Sequence, residues 1–176
     1  MSIEAVIQPK RRRDGDTSLC RRFEHVLDPK EKSPYRGFMN TPGIIGGLGP
    51  ATTAEFYLEL IRRARRRYSS AYPRILVYSV PVPFDLEQEI VLYGRGMERI
   101  YPLLEEAAGN LQASGADFLA LPCNTVHQFH GRLQGACTVP LLNLLDITAA
   151  RCASYGFEQA AVLGTRRTLE SGLYTP

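Results

Sequence analysis

From Phe38 onward the chain reads as short apolar runs separated by longer stretches of helical spacing. Gly43-Ile-Ile-Gly46 ends a short buried run, the pattern of a strand covered on both faces. Gly47-Leu-Gly-Pro50 follows as a tight loop. Thr52-Thr-Ala-Glu55 has the form of a capping box, with Thr52 at the cap and a glutamate three residues later. Phe56, Leu60, Ile61, Ala64 and Tyr68 recur at helical spacing and predict a helix to about Tyr68. Ile75 to Val80 is rich in β-branched and aromatic residues and predicts a second strand, ended by Pro81-Val-Pro-Phe-Asp85. Glu87 to Tyr93 suits a short helix, and Gly94 and Gly96 mark a break. Met97, Ile100, Leu103, Leu104, Ala107, Ala108 and Leu111 then predict a long amphipathic helix with Gly115 just past its end.

The same alternation continues. Phe118 to Leu121 predicts a buried strand that stops at Pro122, and Cys123 follows at once. A helix is expected over Val126 to Leu133, a strand over Val139 to Leu145, and a helix over Ile147 to Ser154 closed by Gly156. A strand over Ala160 to Leu163 ends at Gly164-Thr165, and a helix begins at Thr168. Strand and helix in alternation predict an α/β fold, a parallel sheet flanked by helices on both faces. Four strand ends, at Gly47-Leu-Gly-Pro50, Pro83-Phe-Asp85, Cys123-Asn-Thr125 and Gly164-Thr165, then fall on one rim, where ligand crevices of such sheets lie.

Residues 1–37 lack sustained periodicity and read as a disordered or loosely attached extension, with a short helix around Leu19 to Val26 at most. Residues 38–150 form one α/β domain, and 151–176 open a second that the pattern leaves incomplete. The unfinished sheet edges favour self-association, with a homodimer as the simplest outcome.

Composition adds limits. A 44% apolar and 22% charged chain of 176 residues is ordinary for a soluble globular protein, so no special solvent is implied. The net charge of +3 comes from arginine runs such as Arg11-Arg12-Arg13 and Arg65-Arg66-Arg67, read as solvated faces and a basic tail rather than a nucleic-acid surface. No secretory h-region or membrane-length apolar run is present, so neither secretion nor a membrane partner is expected. Four cysteines without a CxxC pair read as free thiols of a reducing cytoplasm.

Cys123 is the centre of the candidate chemistry. It stands at the carboxyl end of a strand and beside a helix N-terminus, a setting that favours thiolate. The Gly47-Leu-Gly-Pro50 loop, between strand and helix, can present backbone N–H groups to an anion. It is neither GxGxxG nor a P-loop, and its glycines are equally explained by a tight turn.

Gly43-Ile-Ile-Gly-Gly-Leu-Gly-Pro-Ala-Thr52, Leu121-Pro-Cys-Asn-Thr-Val-His127, and Val162-Leu-Gly-Thr165 through Ser171-Gly-Leu-Tyr174 resemble the aspartate/glutamate racemase family in order and spacing, over roughly residues 38 to 176. The resemblance implies two similar α/β domains with the site between them, of which this chain holds the first and the start of the second. It implies an amino-acid substrate (aspartate, glutamate or a relative) and catalysis without pyridoxal phosphate or any other cofactor or metal. One cysteine from each domain removes or returns the α-proton, on opposite faces. Cys123 matches the first cysteine. Asn124 and Thr125 match residues that bind the substrate carboxylate; Gly47, Leu48 and Thr52 lie beside them, and Thr165 matches a threonine lining the site from the second domain. The residue types suit the task, since a weak carbon acid needs a base within reach and donors for the developing charge.

The chain also departs from the family. The second cysteine normally lies in a Gly-Cys-Thr-Glu stretch beyond the region present. Ala136-Cys-Thr-Val139 looks like it but follows Cys123 too soon, so Cys137 reads as a strand or loop residue, Cys152 as core and Cys20 as incidental. Pro83-Phe-Asp-Leu-Glu87 lacks the arginine that many members carry after a Pro-Asp pair. Three other readings remain: a zinc site on Cys123, His127 and His130, which lacks a fourth ligand; a Cys123–His127 nucleophile pair, which lacks an orienting third residue; and a catalytically incomplete fragment that only binds a carboxylate or pairs with another chain. His127 itself suits a capping or packing role.

Overall fold

The computed structural model describes residues 5–7, 40–67, 71–157, 159–164 and 166–174. The expected helix over Leu19 to Val26, Cys20, Tyr68 and Thr165 lie outside the described residues. Among the described residues no helix is long and apolar enough to cross a membrane.

The centre is a three-stranded parallel sheet. Its middle strand, β2 (Pro42–Gly46), lies between β3 (Leu76–Ser79) and β4 (Phe118–Ala120). Gly43 pairs with Leu76 on one side, and Pro42 with Phe118 on the other. A middle strand must be apolar on both faces, and Ile44 and Ile45 are both fully buried. The two faces are covered by different helices. Ile45, Leu119 and Leu121 join the buried cluster built on α3 (Met97–Ala113), whose Met97, Ile100, Leu104, Ala107, Ala108 and Leu111 are buried as their spacing predicts; Tyr101 is buried as well, and the expected Leu103 is only half-buried. Each large aliphatic side chain in it contributes roughly 1.5–3 kcal/mol through burial. Phe118 and Ala120 point the other way, toward Phe56 and Leu60 of α1 (Pro50–Arg67), across an apolar cleft of about 280 Å³. α2 (Phe84–Tyr93) begins three residues earlier than the sequence suggests and ends at Gly94 in the left-handed conformation.

Four local expectations are corrected. The capping box at Thr52 is absent, because α1 starts at Pro50, whose fixed φ suits the first helical position, and Thr52 stands exposed inside the first turn. The strand over Val139 to Leu145 shrinks to one bridge, Leu141 against Leu119. Leu119 N–H donates to Pro140 O and Leu142 N–H to Leu119 O, both at 2.8 Å, but the neighbouring backbone is held by side chains. Gln112 Oε1 accepts from Thr138 N and Val139 N, and Gln134 bonds both Val139 O and Leu141 N. The helix that follows, α5 (Leu144–Ser154), starts earlier, at an Asn143 cap whose Oδ1 accepts from Leu145 N and Asp146 N. It has no fully buried residue, so Cys152 is half-buried rather than core. The helix expected over Val126 to Leu133 is a 3₁₀ turn, Thr125–Phe129, running into α4 (His130–Gly135).

The last strand also pairs differently. β5 (Ala160–Val162) does not extend the three-stranded sheet. It pairs antiparallel with β1 (Ala5–Ile7), so part of the sequence read as a loose extension is a strand, and Gly164 is not on the rim of the central sheet. The chain then forms the short helix α6 (Arg166–Glu170) and a turn over 171–174.

Candidate active site

The carboxyl ends of β2 and β4 are neighbours, so their loops meet at one rim. After β4 the chain runs through Leu121 and Pro122 to Cys123, whose N–H donates to Leu121 O at 2.9 Å. The Cys123 thiol is half-buried and free. Burial raises its pKa above the ordinary thiol value, and the backbone N–H groups of Val126 and Thr125 pull it down less than burial pushes it up. The turn N-terminus therefore acts on the thiol in the expected sense, but the net direction is opposite to the expected activation.

Asn124 and Thr125 follow on the same turn and are met by the C-terminal segment. The Tyr174 hydroxyl donates to Asn124 Oδ1 at 2.5 Å, and the Thr168 and Thr125 hydroxyls approach to 3.5 Å. Thr168 is buried. Segment 166–174 thus reaches the cysteine turn through α6 and the turn after it, not through the end of a sheet strand.

The glycine loop is tied internally. Gly47 has φ +83°, and a Cβ there would stand 2.6 Å from Val80 N. Its N–H donates to Thr53 Oγ1 at 3.0 Å, and the Thr53 hydroxyl donates to Gly49 O at 3.1 Å. The Gly47 N–H is therefore already engaged. Leu48 is half-buried against the core cluster. Thr53, one residue from the threonine the sequence singles out, organises the loop. Its only signal in the sequence was its place between a glycine turn and a helix.

His127 is buried, 1% exposed, and Nε2 accepts Leu144 N–H at 2.8 Å. That bond puts the proton of the neutral ring on Nδ1, which has no hydrogen-bond partner among the described residues. Burial and then the neighbouring His130 hold the ring's pKa down at about 4, against the smaller opposing effects of the Cys123 backbone, the Asp146 carboxylate and the Leu121 backbone. His130 stacks on it, with centroids 5.3 Å apart, and its Nε2 bonds Leu141 O at 3.0 Å. Each imidazole bonds the backbone through Nε2, which fits the capping or packing role expected of His127. Asp85 faces Arg99, 3.8 Å away on α3, and both are exposed. Cys137 is half-buried beside Glu105, and burial followed by that carboxylate raises its pKa.

The Asp/Glu/hydantoin racemase family profile matches residues 45–176. The chain belongs to this family. The broad specificity amino-acid racemase RacX of Bacillus subtilis (strain 168) is 32% identical over 136 residues, covering 75% of this chain and 57% of that protein. Among solved structures, an aspartate racemase homologue from Pyrococcus horikoshii OT3 is 28% identical with a TM-score of 0.58, covering 67% of this chain and 50% of that one. The Picrophilus torridus aspartate racemase has a TM-score of 0.61 at 24% identity, covering 77% of this chain and 57% of that one, a likeness of fold. This racemase-family chain therefore spans little more than half the length of the relatives it matches.

Proposed function

We propose that the Cys123 turn is one half of an amino-acid racemase site. Asn124 and Thr125 bind the substrate carboxylate, with Gly47, Leu48 and Thr52 at the neighbouring rim; Thr165 enters the reading only as a match to the family's site threonine. Cys123 acts as one acid–base group. As a thiolate it takes the α-proton: the C–H bond breaks, an S–H bond forms, and the electron pair passes toward the carboxylate, whose charge the neighbouring donors stabilise. The observation that carries this reading is a free thiol just past a strand of the central sheet, under the N–H groups of Thr125 and Val126, in a chain of the racemase family.

The raised thiol pKa sets a condition on the chemistry. The thiolate is scarce at neutral pH until a positive charge arrives beside it, and the substrate's own ammonium group is such a charge. The same property favours a second reading, carboxylate binding without turnover, if the thiol stays protonated.

Hydrogen exchange at the α-carbon of each enantiomer of aspartate and glutamate in deuterated water, followed by NMR, separates the two. Exchange that vanishes in Cys123→Ala supports the acid–base role. Exchange with inversion adds a second proton donor, and exchange without inversion limits the chain to one face. Folded protein that binds an amino acid but exchanges nothing favours the binding reading, and the absence of both overturns the proposal.

A further inference from the structure

The turn Ser171-Gly-Leu-Tyr174 has a physical reading in the structure. Ser171 hydroxyl donates to Thr168 O at 2.7 Å and accepts Leu173 N–H at 3.4 Å, closing the chain back onto α6. Gly172 takes a φ of +68°, which an L side chain rarely adopts. Together they turn the half-buried Tyr174 back so that its hydroxyl meets Asn124 Oδ1, fifty positions earlier. Thr168, buried and close to Thr125, anchors the same segment at the cysteine turn.

A primary amide has one accepting end and one donating end. In the flipped orientation Asn124 would offer its oxygen where it now offers Nδ2 protons, and an oxygen repels a carboxylate. We infer that Tyr174 is a positioning residue: by holding Oδ1 of Asn124 it leaves the two Nδ2 protons as the end offered to a carboxylate ligand. Burial raises the Tyr174 pKa, so the phenol stays a donor at neutral pH. The inference rests on the carboxylate-binding reading of Asn124 proposed above.

The full chain is compared with Tyr174→Phe, Asn124→Ala and the double variant in the α-hydrogen exchange reaction with aspartate. Losing one hydrogen bond that orients the amide is expected to raise KM about fivefold and leave kcat within about twofold. In the Asn124→Ala background, Tyr174→Phe is expected to change nothing further. A fall in kcat at constant KM, or the same added loss in the Asn124→Ala background, overturns the inference, because Tyr174 then acts elsewhere.

If the chain exchanges no amino acid, the functional reading fails and the positioning role is judged by ¹⁵N NMR of the Asn124 side-chain NH2, identified by its loss in Asn124→Ala. Tyr174→Phe is expected to shift both protons and to speed their exchange with water as the amide gains freedom to turn. Unchanged NH2 signals in Tyr174→Phe overturn it.

Discussion

Nε2 of His127 accepts the backbone N–H of Leu144 at 2.8 Å, so a buried imidazole on the cysteine turn satisfies the first residue of the helix that follows the Leu141 bridge. This single bond ties the loop after β4 to the start of α5, which contributes no fully buried residue of its own. His127→Ala leaves that N–H without its acceptor and opens a cavity. The expected loss is about 2–4 kcal/mol in urea denaturation, whereas His127→Gln, which keeps an acceptor, loses less.

The same ring sets an acid limit on stability. Its folded pKa of about 4 lies below the ordinary 6.5, because burial and then His130 disfavour the charged form. Between those values the unfolded chain binds a proton that the folded chain refuses. Stability is therefore complete above about pH 6.5 and falls as pH drops toward 4, by roughly 3 kcal/mol in all. Denaturation midpoints for the chain and for His127→Gln across this window check the sign: the variant's profile is expected to be flatter.

Gly46 and Thr53 form a coupled pair. A Cβ on Gly46 collides with Cγ2 of Thr53, so Gly46→Ala is expected to destabilise by about 1–3 kcal/mol. Thr53→Ser removes that methyl but keeps the hydroxyl that serves Gly47 N–H and Gly49 O, so part of the loss is expected to return in the double variant. Thr53→Val keeps the shape and discards the hydroxyl, at about 1–2 kcal/mol. Thermal melts of the four variants test the coupling.

Gln134 replaces a strand partner for the segment around Leu141. Gln134→Leu removes bonds to Val139 O and Leu141 N and is expected to cost about 1–3 kcal/mol. Amide hydrogen exchange at Leu141 should quicken in the variant, and an unchanged rate would show that the Leu119 bridge alone holds the segment.

The Cys123 thiol should alkylate slowly at neutral pH. Because burial raises its pKa, the iodoacetamide rate in the folded chain is expected to inflect at a higher pH than in urea. Peptide mass spectrometry of the Cys123 label at several pH values measures this. A lower inflection in the folded chain would mean that the N–H groups of Thr125 and Val126 outweigh burial.

Local pattern carried much of this fold. Six of the seven buried residues of α3 were legible from helical spacing, Tyr101 being the exception, and Gly43-Ile-Ile-Gly46 reads as a short strand buried on both faces. The strand–cysteine–turn order around Cys123 was legible in the same way, and the family came from the resemblance of the motifs there and at Gly43 to Thr52. The partners of those elements were not legible, because pairing is decided by surfaces distant in sequence. An apolar run at Val139 to Leu145 looks like a strand, yet amides from Gln112 and Gln134 claim its backbone groups. Ala160 to Leu163 looks like the next parallel strand, yet it takes residues 5–7 as its antiparallel neighbour.

The sequence by itself determined which segments bury apolar surface, where the backbone needs glycine, and that a thiol follows the buried run Phe118 to Leu121. Only the tertiary structure decided the state of that thiol, the engagement of Gly47 N–H by Thr53, and the meeting of Tyr174 with Asn124. Burial and hydrogen-bond partnership depend on which groups converge in space, and no local pattern of hydrophobic and polar residues records that convergence.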